Sequence, residues 1–565
     1  MKEPQGTRLR AWCSPLLLCA GLGVALRLFR FALNSPLWWN EAFLAVNFLK
    51  RGYWELLEAL DYHQVCPHGF LWAEKALISV AGFQEWSLRL IPLLSGIGSM
   101  AAMVWLARST VPPRIAWVAV LILAVAYHPI RLASEVKPYS TDLAVAALVL
   151  AIVARALQVK GRDHRFLLFL ILISPVCLAV SYPAVFVLGG AAAVLLFGLW
   201  AGSLRFTRAC LLGFCFSLVL SFAALQMIAV AAQAKSADAS GMAQFWEEGL
   251  ACWDSPGTLV LWLIKVHAGP IFALPAGDGP VVSLVVLLFF IIGGTKLYHR
   301  KRFSVLALIL SPFVLTLLAA LLGKYPYGAR ARVVQHLVPS ECVLLAIGGH
   351  AFFTQLVRTH SRRLRLARLF VLALVLVGTV PLIPDFFRPY RSEREWQARA
   401  FAQRFWSDLG KSPATCLRWD LAVQPWDSPN PDVALYICNQ AIFSPARRAS
   451  GSSQQAPANP RQTPSRFVAF VSPAVTEVDQ FGSWHDKISR DHGPLKIDEY
   501  AVPGHEGRPA FVRVFTLRPE GPLLQGHSFT LPTPQEKPSG FKDSDVNQMV
   551  TSTRRSSESQ SREVD

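Results

Sequence analysis

Four clusters of polar side chains interrupt an otherwise apolar chain, and their residue types suit an anion held beside a reacting hydroxyl. The first, Leu37-Trp38-Trp39-Asn40-Glu41, sets an amide and a carboxylate behind paired indoles. In isolation it also reads as an interfacial aromatic belt with a solvated carboxylate. The second, Asp61-Tyr62-His63-Gln64-Val65-Cys66-Pro67-His68, has two histidines five residues apart. No carboxylate completes that spacing into a metal site, and a turn with surface histidines is the simpler reading. The third runs from Arg131 to Asp142 and gathers Arg131, Glu135, Lys137, Tyr139, Ser140 and Asp142. An ion-paired cap would account for such a cluster, as would a functional site. The fourth, Lys324 to Arg332, supplies Lys324, Arg330 and Arg332 around Tyr325-Pro326-Tyr327-Gly328. Arginine grips phosphate oxygens with a planar fork, so an anionic ligand is expected there. No Walker loop, dinucleotide fingerprint or zincin motif is present, which excludes the usual forms of soluble nucleotide chemistry.

The elements that position these clusters are membrane spans. Of 565 residues, 53% are hydrophobic and 16% charged, against about 25% charged in soluble chains. A span needs on the order of 20 mostly apolar residues with ionisable groups only at its ends. Charge-free stretches then give eleven spans, near 11–32, 90–107, 115–130, 139–156, 166–181, 183–202, 209–231, 281–297, 303–323, 335–355 and 368–384. The interval from Phe166 to Leu204 is too long for one crossing, and Ser181-Tyr182-Pro183 supplies the turn that divides it. Arg27 and Arg30, at the outer end of the first span, are expected to snorkel or to face the protein interior.

Short cytoplasmic loops collect Lys and Arg. The N-terminal segment and the loops on one side of this topology hold 20 Lys/Arg against 2 Asp/Glu, and the loops between spans on the other side 11 against 14. The net charge of +18 therefore records orientation in the membrane and gives no reason to expect a nucleic-acid partner. The N-terminus is placed in the cytoplasm and everything after Asp385 outside it, in a multi-pass protein of the cytoplasmic (inner) membrane. All four polar clusters lie at the outer level.

The first outer loop, residues 34–89, has aromatic and aliphatic residues at helical spacing, the pattern of amphipathic helices lying in the interface. A second loop, Gln233 to Pro280, shows the same style at Phe245-Trp246 and Leu259 to Val266. Beyond the last span, a helix over Ser392 to Leu409 and strands over Thr415–Val423, Val433–Ile437, Arg466–Val471 and Phe511–Leu517 predict a small α/β domain. The division is 1–390 membrane domain, 391–520 extracytoplasmic domain and 521–565 disordered tail, with Arg447–Pro464 also disordered in composition. Cys416 with Cys438, and Cys66 with Cys252, are candidate pairs in an oxidising compartment. No internal repeat is visible, which counts against the repeat-built transporters.

In their order and membrane level the clusters resemble the GT-C superfamily of membrane glycosyltransferases. Within it, they are most similar to the bacterial branch related to protein O-mannosyltransferases and the lipid-A aminoarabinose transferase, family 39-like. The resemblance covers about residues 10–390. It rests on Trp38-Trp39-Asn40-Glu41-Ala42, Gln64-Val65-Cys66-Pro67, Glu85-Trp86-Ser87-Leu88-Arg89-Leu90, the Glu135 to Asp142 segment, Ser181-Tyr182-Pro183, and Tyr325 to Arg332. It implies an all-α polytopic fold with a polyprenyl-phosphate-linked sugar as donor. An acceptor would attack the anomeric carbon while the lipid phosphate leaves, which calls for a base and for cations. By position Glu41 is the candidate base or metal-facing carboxylate, with Asn40 and Glu135 beside it as catalytic candidates. Lys137, Arg330 and Arg332 are assigned to the phosphate, and Gln64 and Tyr139 to donor binding.

One departure matters: the family's Asp falls on Asn40, and an amide cannot take a proton, so Glu41 or Glu135 must serve if the protein is active. Metal ligands are unassigned, with a divalent cation as one candidate cofactor. The partners implied are a lipid-linked sugar donor, membrane lipids and an unidentified acceptor. A flippase for the same lipid-linked sugar, or a catalytically silent scaffold, is the alternative.

Overall fold

A computed structural model describes residues 5–158, 164–202, 208–230, 233, 246–275, 280–356, 360–409, 415–417, 431–444, 466–471, 496–502 and 510–516. The chain begins with α1 (Gln5–Ala32), then α2 (Trp39–Lys50) and α3 (His68–Ala81) in the first outer loop. There follow α4 (Leu90–Thr110), α5 (Ala116–Val125), α6 (Tyr127–Leu132), α7 (Tyr139–Ala156), α8 (Arg165–Val180), α9 (Ala184–Trp200) and α10 (Arg208–Leu225). After α11 (Pro256–His267) come α12 (Pro280–His299), α13 (Phe303–Leu321), α14 (Val338–Leu356), α15 (His360–Thr379), α16 (Leu382–Phe387), α17 (Glu393–Leu409) and α18 (Pro431–Phe443).

Every predicted span falls on a helix, and Ser181-Tyr182-Pro183 does separate α8 from α9. Among the described residues, eight helices are long and apolar enough to cross a membrane, while α5, α8 and α9 are shorter apolar helices. The third predicted span is broken, because Ala126 leaves helical geometry between α5 and α6.

Apolar faces bring the helices together around one large core in which α4 packs on α7 and α1 on α5. Between α12 and α14 the backbones touch. A Cβ on Gly348 would lie 1.9 Å from the Phe289 carbonyl oxygen, and one on Gly293 would lie 2.2 Å from that of Leu344. Small residues permit such close helix contact in a membrane, where packing rather than the hydrophobic effect holds helices together. Arg27 takes the interior option, fully buried, with its guanidinium donating to the carbonyls of Gly23 at 2.9 Å and Leu123 at 3.3 Å.

A second apolar cluster lies over the outer loop and changes the reading of α2. That helix does not rest half-exposed in an interface: Asn40 through Phe48 are all buried. Ala402, Phe405 and Trp406 of α17, with Leu435, Ile437 and Cys438 of α18, close over Ala42, Phe43 and Val46. Residues 433–437, expected as a strand, belong to the helix α18, since burial on the α2 surface rewards a 3.6-residue period over local β propensity. Four strands form a sheet: β1 (Thr415–Leu417), β2 (Arg466–Val471), β3 (Lys496–Val502) and β4 (Ala510–Thr516), in the order β1-β2-β4-β3. β1 runs parallel to β2, the other pairs are antiparallel, and Phe515 of β4 stands opposite both Phe467 and Ile497. β3 has no counterpart in the sequence reading; the rest of 415–423, the 447–464 segment and the 521–565 tail lie outside the described residues.

Neither expected disulfide forms. Cys66, Cys252 and Cys438 are free. Cys252 donates to Asp254 at 2.9 Å, and Cys438 is packed against the Ala42 carbonyl at 3.7 Å.

Candidate functional site

Glu41 sits three residues into α2, and its side chain reaches back to the Trp38 backbone N–H at 3.2 Å, as acidic groups in a first helical turn do. Arg89, at the entry to α4, closes on the same carboxylate. Its Nε donates to Oε1 at 2.9 Å and its Nη2 to Oε2 at 2.7 Å, and further guanidinium bonds reach the carbonyls of Ser35 and Pro36. Oε1 also accepts from the Val136 N–H at 2.9 Å. With 1% of its surface exposed, Glu41 is a buried bracket tying α2, α4 and the turn before α7.

That turn carries the third cluster. Glu135 Oε1 accepts from Arg131 at 3.1 Å and from Arg391 at 2.6 Å, while Oε2 has no partner among the described residues. Burial works against its charge, but Arg391 and Arg131 outweigh burial and hold the Glu135 carboxyl below the usual range. Two residues on, Lys137 Nζ donates to Gln64 Oε1 at 2.5 Å, joining the second and third clusters. Burial pushes the Lys137 ammonium down to about 8.

Immediately beyond Lys137 opens a cavity of about 560 Å³. Tyr139 and Asp142 of α7 line it with Val65, Pro67, Tyr182, Phe186, Phe222, Trp246, Lys324 and Tyr325. The wall is mostly apolar, the usual make-up of a small-molecule site with a few placed polar groups. Asp142 Oδ1 has no partner among the described residues. Arg332 lies half-buried over the Trp246 ring at 5.8 Å, near enough to Lys137 to repel its charge. Arg330 is exposed.

His68, expected on the surface, is buried, with its Nδ1 3.3 Å from the Tyr182 hydroxyl. Burial lowers its pKa, favouring the neutral ring. Among the described residues no group of three or more His, Cys, Asp and Glu is placed to hold a metal ion. A metal-facing role for Glu41 does not fit either, because a cation beside its oxygens would meet the Arg89 guanidinium.

Residues 66–225 match the family model of dolichyl-phosphate-mannose-protein mannosyltransferase. The matched segment runs from the second polar cluster through α10. No curated protein matches. Among solved structures, the chain is similar to the archaeal oligosaccharyltransferase AglB from Archaeoglobus fulgidus in complex with an inhibitory peptide and a dolichol-phosphate. Identity there is 13% and the TM-score 0.48, covering 78% of this chain and 65% of that one. It is also similar to ArnT from Cupriavidus metallidurans bound to undecaprenyl phosphate, at 12% identity and a TM-score of 0.43, covering 92% of this chain and 100% of that one. The chain thus spans just under two thirds of the length of AglB.

Of the residues singled out in the sequence, the fold brings Glu41, Glu135, Lys137, Gln64, Tyr139 and Arg332 close together, with buried Asn40 next to Glu41 in α2. Arg330, two residues before Arg332, is exposed. Sequence reasoning gave no role to Asp142, Tyr325 or Arg391, although each is a polar residue at the outer end of a span.

Proposed function

We propose that the protein transfers a sugar from a polyprenyl-phosphate-linked donor to an acceptor on the extracytoplasmic face of the membrane. The observation that carries this reading is the Lys137–Gln64 contact, whose chain neighbours Pro138 and Val65 line a mostly apolar cavity together with Asp142, Tyr139 and Lys324. A phosphate bound beside Lys137 also meets the neighbouring Arg332, and the apolar cavity walls formed by Phe186, Phe222 and Leu225 suit an isoprenoid chain.

The acceptor hydroxyl attacks the anomeric carbon. The bond from that carbon to the phosphate oxygen breaks, its electron pair stays with the lipid phosphate, and Lys137 and Arg332 take up the charge. The hydroxyl proton needs a carboxylate that is free to receive it. Both Glu41 oxygens are held by Arg89, so in this reading Glu41 shapes the site. Asp142, facing the cavity with one open oxygen, takes the proton. The buried amide of Asn40, beside Glu41 in the first turn of α2, then has no proton to carry, which removes the objection that it cannot act as a base.

The test uses purified protein in lipid nanodiscs with a polyprenyl-phosphate hexose and a panel of hydroxyl acceptors. Release of free lipid phosphate that requires both acceptor and Asp142 supports transfer. Donor binding without release, unchanged in Asp142→Asn, would replace the proposal with a lipid-linked sugar carrier.

A further inference from the structure

The turn that carries Lys137 is held from two sides. From the membrane domain, the Glu41 carboxylate accepts the Val136 N–H at 2.9 Å. From the segment after the last span, Arg391 donates to Glu135 at 2.6 Å, and its guanidinium lies 3.5 Å from the centre of the Trp38 ring. Within the turn, the Lys137 N–H donates to the Glu135 carbonyl at 2.7 Å, so the backbone that aims Lys137 is closed on the residue Arg391 grips. Among the described residues, Arg391 makes one of three ion pairs between the chain from α16 onward and the residues before α7. Arg30 pairs with Asp385 at 3.0 Å, and Glu85 with Arg399 at 3.0 Å. Neither of those two pairs contacts the turn through a hydrogen bond or ion pair among the described residues, whereas Arg391 touches both Trp38, which caps α2, and Glu135.

We infer that Arg391 is a positioning residue for donor-phosphate binding: it reaches from the post-membrane segment to set, through Glu135, where the Lys137 ammonium points. This rests on the reading of Lys137 as a phosphate ligand. Charge and shape both matter at this position, because a guanidinium can stack on an indole while donating to a carboxylate, and an ammonium does only the second as well. A purely structural tie, such as Arg399 to Glu85, should not couple to Lys137.

Two measurements on the full-length protein in nanodiscs test the inference. The first is binding of undecaprenyl phosphate to wild type, Arg391→Ala, Arg391→Lys, Lys137→Ala and the Arg391→Ala/Lys137→Ala double variant. Arg391→Ala should weaken binding about tenfold, Arg391→Lys should recover part of it, and in the Lys137→Ala background the loss of Arg391 should add little. The second is the pH midpoint for reductive methylation of Lys137, read by mass spectrometry. The groups that bear on it are Cys66, Arg332, Glu41 and Glu135. In Arg391→Ala the midpoint should rise, because Glu135 then keeps only Arg131 as an ion-pair partner and bears more of its charge on the ammonium. Arg399→Ala serves as the comparison and should leave it in place.

Additive effects of Arg391→Ala and Lys137→Ala, or an unmoved midpoint, would overturn the inference. If wild type fails to bind undecaprenyl phosphate while the midpoint still shifts, the positioning role stands and the donor reading falls. Thermal melting of each variant separates these outcomes from failure to fold.

Discussion

Arg89 holds Glu41 by two parallel bonds, Nε to Oε1 at 2.9 Å and Nη2 to Oε2 at 2.7 Å, with both side chains only 2% exposed. A carboxylate so held has no oxygen to offer a substrate. Removing either partner strands the other's charge in a buried setting, which costs about 3–5 kcal/mol. Arg89→Ala and Glu41→Gln should each lower the melting temperature together with activity. Arg89→Lys should rescue little, for want of the second prong. A Glu41→Gln protein with wild-type melting but no turnover would restore Glu41 to the role of base.

Binding of the lipid phosphate should fall as pH rises through about 8, where burial places the Lys137 titration. The charged ammonium is the binding form, it predominates below that value, and deprotonation removes one phosphate ligand. Equilibrium binding between pH 7.5 and pH 10, above the phosphate's own second ionisation at about 6, should therefore fall in wild type, and Lys137→Arg, which stays charged, should abolish that fall. A flat wild-type profile would take Lys137 out of the phosphate site.

Glu74 of α3 is fully buried, and neither carboxylate oxygen has a hydrogen-bond partner among the described residues. Burial raises its pKa well above 4.5, so the folded state binds the proton more tightly than the unfolded chain. Stability should then decline as pH rises above about 4.5 and level off past the folded pKa. Glu74→Met should flatten this dependence and add about 1–3 kcal/mol at neutral pH. Urea denaturation at several pH values measures both.

At Gly348 a methyl group would sit 1.9 Å from the Phe289 carbonyl oxygen. Gly348→Ala should separate α12 from α14 and cost about 1–3 kcal/mol, seen as a lower melting temperature. Gly349→Ala, whose Cβ would meet only the Phe370 ring at 3.5 Å, should be nearly neutral.

Much of this molecule was legible in one dimension because a membrane imposes a one-dimensional rule. Each span must be apolar for about 20 residues, so the gaps between charges located the helices, and Ser181-Tyr182-Pro183 marked the α8 to α9 turn. The same rule made the polar clusters conspicuous, and Gln64, Lys137, Tyr139 and Arg332 do converge. Outside the membrane the rule lapses, and α18 and β3 were misread or missed there. What only the tertiary structure decided is which charges are occupied with one another. Glu41, Asp142 and Glu135 look alike as carboxylates at the outer ends of spans, yet Arg89 claims the first, the cavity exposes the second, and Arg391, 256 residues further along, claims the third. Partnership of that kind is a matter of distance in space, and spacing along the chain carries no record of it.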